Sequence, residues 1–184
     1  MKRALFWMVL AAVFAVAVHL AYMLFAPPLQ FEHALSKLVK DETTPSFRIL
    51  KPAQQAALLP FATINDVVGI CLYDLRDGNA KIEGVAPEGF WNFSVFTSSG
   101  RQIYDLNDTQ VETNHFVVEI RPASGLLSQI MGGADGELPA STDAGWQVEV
   151  PEDKGLAILW VPLHDALMRR QTEAVIRKGR CSAP

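Results

Sequence analysis

Residues 67–85, VVGICLYDLRDGNAKIEGV, decide the fold class. Val67 to Asp74 is a β-branched and apolar run of strand length, Arg76-Asp77-Gly78-Asn79 carries turn residues with Asp-Gly at its centre, and Ala80 to Val85 resumes as a second strand. This pattern predicts a β-hairpin. Downstream, Pro87-Glu88-Gly89 is a turn and Phe90 to Thr97 a third strand in which Trp91, Phe93 and Val95 share one face. Gln102 to Leu106 reads as a fourth strand and His115 to Arg121 as a fifth, ended by Pro122. Trp146 to Val150 and Leu156 to Pro162 read as two more, joined around Glu152-Asp153-Lys154-Gly155. Strands at such short intervals predict an antiparallel meander, and hence a mainly β domain, an antiparallel sheet or sandwich with flanking helices.

The flanks are helical. Phe31, Ala34, Leu35, Leu38 and Val39 recur near helical spacing between Leu29 and Lys40, and a short helical turn is expected between Phe47 and Leu59, stopped by Pro60. A short helix is expected over Ala123 to Met131, followed by a glycine-rich loop at Gly132 to Gly136. Leu163 to Lys178 is an amphipathic helix with Gly179 as its stop. Its cations Arg169, Arg170, Arg177 and Lys178, with Arg180 beyond it, are read as a solvated face that also suits the helix C-terminus.

The N-terminus has a different composition. Of the 23 residues from Ala4 to Ala26, 22 are hydrophobic, His19 being the exception. As a helix such a segment is ~34 Å long, enough to cross a bilayer with some tilt. A cleaved signal peptide is the rival reading, and Ala15-Val16-Ala17 has suitable small residues. Cleavage there would leave the apolar stretch Val18 to Phe25 exposed at the new terminus, so an uncleaved anchor is expected. Lys2 and Arg3 precede the span and hold that end in the cytoplasm, leaving the rest of the chain outside. Beyond the span, 14 basic residues face 20 acidic ones, a balance that argues against nucleic acid as a partner. In this division residues 1–3 are cytoplasmic, 4–26 cross the bilayer, 27–60 form a juxtamembrane helical or extended segment, 61–162 the antiparallel β domain, and 163–184 a C-terminal helix and tail packed on it.

The chain has two cysteines, Cys71 within the first strand and Cys181 near the C-terminus. In an oxidising compartment they are candidates for a disulfide; otherwise Cys71 is a small buried hydrophobe and Cys181 is free. Catalytic signatures are missing: no Gly-x-Ser-x-Gly, His-Glu-x-x-His, P-loop or dinucleotide fingerprint occurs. Asp105-Leu106-Asn107-Asp108 is the most polar constellation beside aromatic strands, but a calcium loop starting at Asp105 would need Gly at position 110 and Glu at 116, where Gln and Phe stand. Asp105, Asn107, Asp108 and His115 are therefore carried forward as a candidate polar site, with turn capping as the plain alternative. Trp91, Phe93, Tyr104 and Trp160 are either pocket or core. No cofactor or metal is expected.

The segments GICLYDLRDG (69–78), FWNFSVF (90–96) and IYDLND (103–108), with the ending Cys181-Ser182-Ala183-Pro184, resemble the domain of unknown function 1254 family, in particular its short single-span bacterial members. The resemblance implies a bacterial inner-membrane protein with a periplasmic β domain and favours a Cys71–Cys181 disulfide. It also implies, as partner, a companion membrane protein with a domain of unknown function 1214. It brings no activity. Two functions follow as expectations: a noncatalytic binding or scaffold protein of the cell envelope, or a hydrolase- or isomerase-like enzyme working near Asp105, Asp108 and His115.

Overall fold

The structure is a computed structural model describing residues 2–39, 45–59, 61–111, 115–123, 141–142 and 145–182. The helix and loop expected between Ala123 and Gly136 lie, apart from Ala123 itself, outside these residues. Helix α1 is Lys2–Val39, followed by strand β1 (Arg48–Ile49) and helix α2 (Pro52–Leu58). Strands β2 (Val67–Asp74), β3 (Ala80–Val85), β4 (Asn92–Thr97), β5 (Gln102–Asn107) and β6 (His115–Pro122) come next. Then follow β7 (Ser141–Thr142), β8 (Gly145–Val150), β9 (Lys154–Val161), helix α3 (Arg169–Ile176) and β10 (Arg180–Ser182).

Ten strands form two five-stranded sheets. The first has the order β1-β2-β9-β4-β5 and the second β10-β3-β6-β8-β7. Pairing is antiparallel throughout, except that β8 returns parallel to β6. The fold is therefore mainly β with flanking helices, as expected, but it is not a meander.

The expected hairpin at 67–85 is corrected. Its two strands do not pair: β2 lies between β1 and β9 in the first sheet, whereas β3 lies between β10 and β6 in the second. Burial shows why. β2 is apolar on both faces, a strand that needs a layer above and below it, while β3 alternates buried and exposed positions, a strand covered on one face. The five residues between them include Leu75, buried at the end of the sandwich, and cross from one sheet to the other with Gly78 at φ 144°. The link between β8 and β9 makes the same kind of crossing, whereas β4 and β5 form a true hairpin.

Between the sheets, Cys71, Tyr73, Phe93, Val95 and Leu159 meet Ile82, Phe116, Val118, Ile120 and Val150 in one apolar core. On its other face the first sheet is covered by helix. Leu35 and Leu38 of α1, with Leu58 of α2 and Leu59 after it, bury Val68, Ile70, Leu156 and Ile158. Each such side chain contributes ~1.5–3 kcal/mol when fully buried, so this second core is a substantial part of the fold.

α1 runs unbroken through Pro27 and Pro28, from the apolar segment into this cover. Two prolines leave only the carbonyls of Met23 and Leu24 without their i+4 donors. Ending one helix and starting another there would leave the last four carbonyls and first four amides unpaired, a larger loss beside an apolar phase. Residues 3–25 are exposed along the whole stretch, and α1 is long and apolar enough to cross a membrane.

The C-terminal helix is shorter than expected. Asp165 Oδ1 accepts from Leu167 N at 2.8 Å and caps a 3-10 turn over Ala166–Met168, after which α3 begins at Arg169. Ile176 of α3 is fully buried against Gly69, where an added Cβ would lie 2.6 Å from its Cγ2. The tail then becomes β10, and Cys181 forms a disulfide with Cys71 across a Cα–Cα distance of 6.0 Å. The bond joins β2 of one sheet to β10 of the other.

With the two cysteines 110 residues apart in sequence, opening this link in a Cys71→Ser/Cys181→Ser variant should lower stability by about 4–5 kcal/mol in the chain-entropy view. Denaturant midpoints of the full chain, with and without reductant, measure this. Reductant should shift the native protein and leave the variant unchanged.

Candidate functional site

The outer face of the first sheet divides into two halves. Where α1 and α2 cover it, the residues are apolar. Beyond the helices, on β4 and β5, they are polar, and the cross-strand pairs Asn92–Asn107 and Ser94–Asp105 lie side by side. At the boundary is a cleft of ≈ 410 Å³. Its floor comes from Ser94, Asp105, Ile158 and Trp160, one wall from Phe31 of α1, and the other from Leu58, Leu59 and Phe61.

Each wall is held by identifiable contacts. Phe31 packs on Phe96 at 6.2 Å between ring centroids and lies over the β4–β5 turn. A Cβ at Gly100 would come within 2.6 Å of its ring, and Gly100 also takes φ +84°, so glycine is required there on both counts. That turn is tied down by Glu152, which accepts from Ser98 Oγ at 2.6 Å and Ser99 Oγ at 2.7 Å. Although burial works against its charge, these hydrogen bonds hold the Glu152 carboxyl below the usual range.

The Phe61 side is fixed by the loop that follows it. Asp66 is buried and accepts from Thr63 N at 2.7 Å and Thr63 Oγ1 at 3.0 Å. Buried Gln55 donates to the carbonyls of Leu50 and Asp66, and the Arg169 guanidinium donates to those of Ile64 and Asp66. Phe61 itself remains 67% exposed. Its ring meets Trp160 edge to face at 5.9 Å, and Phe90 does the same from the other side at 5.8 Å. Trp160 Nε1 is buried and, among the described residues, has no hydrogen-bond partner. An unsatisfied buried N–H costs on the order of 1–3 kcal/mol and marks a place where an acceptor would be gained.

Asp105 organises the polar floor. Its Oδ1 accepts from Asn92 Nδ2 at 2.7 Å, Ser94 Oγ at 2.9 Å and Gln102 Nε2 at 3.3 Å. The four candidate residues have separate roles. Asp105 lines the cleft, and Asn107 caps a 3-10 turn by accepting from Thr109 N at 3.0 Å and Thr109 Oγ1 at 2.6 Å. Asp108 lies inside that turn with Oδ1 enclosed, and His115 is exposed at the start of β6 in the second sheet. Among the described residues no three His, Cys, Asp or Glu side chains are grouped to hold a metal ion.

The aromatic residues are sorted in the same way. Trp91 stacks on Phe116 at 5.2 Å and Phe93 packs on it at 5.1 Å, so both belong to the inter-sheet core. Trp160 belongs to the cleft. The partners that complete the cleft, Phe31 and Phe61, come from segments outside the strand pattern, and no local signal in the sequence joins them to Trp160.

No family model and no curated protein matches this chain. Solved structures do. The VPA0106 protein of Vibrio parahaemolyticus aligns at a TM-score of 0.55 and 10% identity, over 85% of this chain and 36% of that one. An uncharacterised protein of Burkholderia cenocepacia aligns at a TM-score of 0.44 and 13% identity, over 77% and 37% of the two chains. The Vibrio protein shares the fold, and this chain spans little more than a third of its length.

Two phenols are perturbed by this architecture. Burial, and secondarily the Asp105 carboxylate, push Tyr104 up to about 12. Burial, and secondarily Glu152, push Tyr73 higher still, its hydroxyl donating to the Phe96 carbonyl at 2.9 Å. In the unfolded chain both ionise near pH 10. Stability should therefore be unaffected below that pH and fall as pH rises from about 10 toward 12, because the unfolded state loses protons that the folded state keeps. Absorbance at 295 nm in a Tyr22→Phe background should show phenolate appearing together with unfolding. Free titration of both phenols near pH 10 in the folded protein would contradict this.

Proposed function

We propose that the chain is a membrane-anchored, noncatalytic binding protein of the bacterial envelope, with its β domain in the periplasm and a small-ligand site in the cleft beside Trp160. The observation that carries this reading is the cleft itself. Its volume lies within the range of small-molecule sites, its walls are aromatic, and a few polar groups converge on its floor. Trp160, which lines the cleft, has a buried indole N–H without a partner among the described residues. The spread of Asp105, Asp108 and His115 over a cleft, a capped turn and the opposite sheet favours binding over an acid–base reaction among these three residues.

Anchoring and export rest on the apolar helix, on Lys2 and Arg3 before it, and on the disulfide, which belongs in an oxidising compartment. In this reading residues 4–26 have the lipid bilayer as their partner. The companion protein with domain 1214 is the protein partner implied by the family resemblance.

Two measurements test the proposal. In spheroplasts the full-length chain should stay with alkali-washed membranes while external protease removes the β domain; a mature chain lacking its first 17 to 26 residues would overturn the anchor. Indole N–H resonances of the full chain should show Trp160, assigned with Trp160→Phe, moving saturably with members of a mixed small-molecule library while core Trp91 stays still. A library that moves neither would remove the cleft as a binding site.

A further inference from the structure

Building on the cleft as a binding site, we infer that its ligand is an organic ammonium cation, held by the faces of the aromatic walls with its charge against Asp105. Three observations lead to this class. Among the described residues the ionisable side chain lining the cleft is a carboxylate, and no lysine or arginine lines it, so an anionic ligand would meet repulsion with nothing among them to offset it. Asp105 also has an acceptor atom to offer: three donors hold Oδ1, and Oδ2 takes no hydrogen bond among the described residues. Finally, Phe31, Phe61, Phe96 and Trp160 line the same space. Ring faces carry negative quadrupole density, and an alkylated ammonium, weakly hydrated and apolar at its rim, gains from several such faces at once. A bare metal ion would use neither the rings nor a space of ≈ 410 Å³.

Two sources supply this chemistry, a free ammonium compound or the headgroup of a lipid. Phe31 lies on the same unbroken helix as the apolar segment, five residues beyond Ala26. That separation is roughly 8 Å along a helix axis, comparable to the thickness of a headgroup layer. The mouth of the cleft is therefore within reach of headgroups when residues 4–26 are in a bilayer.

The test uses the full chain in uncharged maltoside micelles and follows the Trp160 indole resonance. Choline should shift it saturably, and 3,3-dimethylbutan-1-ol, the uncharged isostere of choline, should bind at least about tenfold more weakly. Asp105→Asn should weaken choline by about tenfold, leave the isostere unchanged, and leave the Trp91 resonance in place as evidence of an intact core. Equal binding of choline and isostere, or choline binding indifferent to Asp105→Asn, would overturn the cation assignment while leaving the cleft as a binding site. If neither probe moves Trp160, the assignment is overturned; if the mixed library moves it no more than they do, the binding site falls as well. Monomeric dihexanoylphosphatidylcholine binding more tightly than choline would support the assignment and identify a lipid headgroup as the source. Tighter binding of choline would support it and identify a free ammonium compound.

Discussion

The structure depends on covering one sheet twice. β2 and β9 are apolar on both faces, so a two-layer sandwich would leave Val68, Ile70, Leu156 and Ile158 in water. The second sheet satisfies the inner face. The outer face is satisfied by the last turns of α1 and by the segment around α2, which makes the end of the long apolar helix a structural layer of the domain. Removing α1 would therefore expose the central strands of the sheet, which is why the end of α1 and the β domain are better treated as one folded unit.

The same constraint places the cleft. The helical layer covers β2 and β9 but not all of β4 and β5, and the composition of the sheet changes where the cover stops. Ile158 lies under the helices; Asn92, Ser94 and Asp105 lie beyond them and bond with one another. A seam between an apolar layer and a polar strand pair presents both kinds of surface to anything bound there, and this one is walled by rings whose positions are fixed from three separate segments.

Much of the architecture was legible from local patterns. The positions of β2 to β6, β8 and β9, the apolar helix and the inward face shared by Trp91, Phe93 and Val95 all follow from periodicity and turn chemistry. Pairing was not, because an Asp-Gly turn looks the same whether its strands are neighbours or belong to different sheets. The discriminating signal was present in the strands themselves: VVGICL is apolar without alternation and AKIEGV alternates, which assigns them to layers with different numbers of covered faces. β1 and β10 are two and three residues long and exist only because longer strands offer them an edge, so they have no pattern of their own to read. Within the candidate site, Asp105 was legible as a polar residue beside aromatic strands. Phe31 and Phe61 were not, since each looks like an ordinary apolar residue until the tertiary fold brings it to Trp160.

The continuity of α1 through Pro27–Pro28 gives the cleft a defined relation to the apolar segment. A flexible link at the prolines would let the domain swing, and Phe31 would follow the domain alone. In an unbroken helix, the residue that walls the cleft and the apolar residues of the span share one axis, so the position of one restrains the other. Phe31 is fixed from below as well, through Gly100 and the turn that Glu152 ties to Ser98 and Ser99. The opposite wall, Phe61, is held through Thr63, Asp66 and Arg169 and remains largely exposed. The two rings that wall the cleft are thus set by different parts of the chain, Phe31 by the apolar helix and Phe61, whose ring meets Trp160 edge to face, by the loop that follows it.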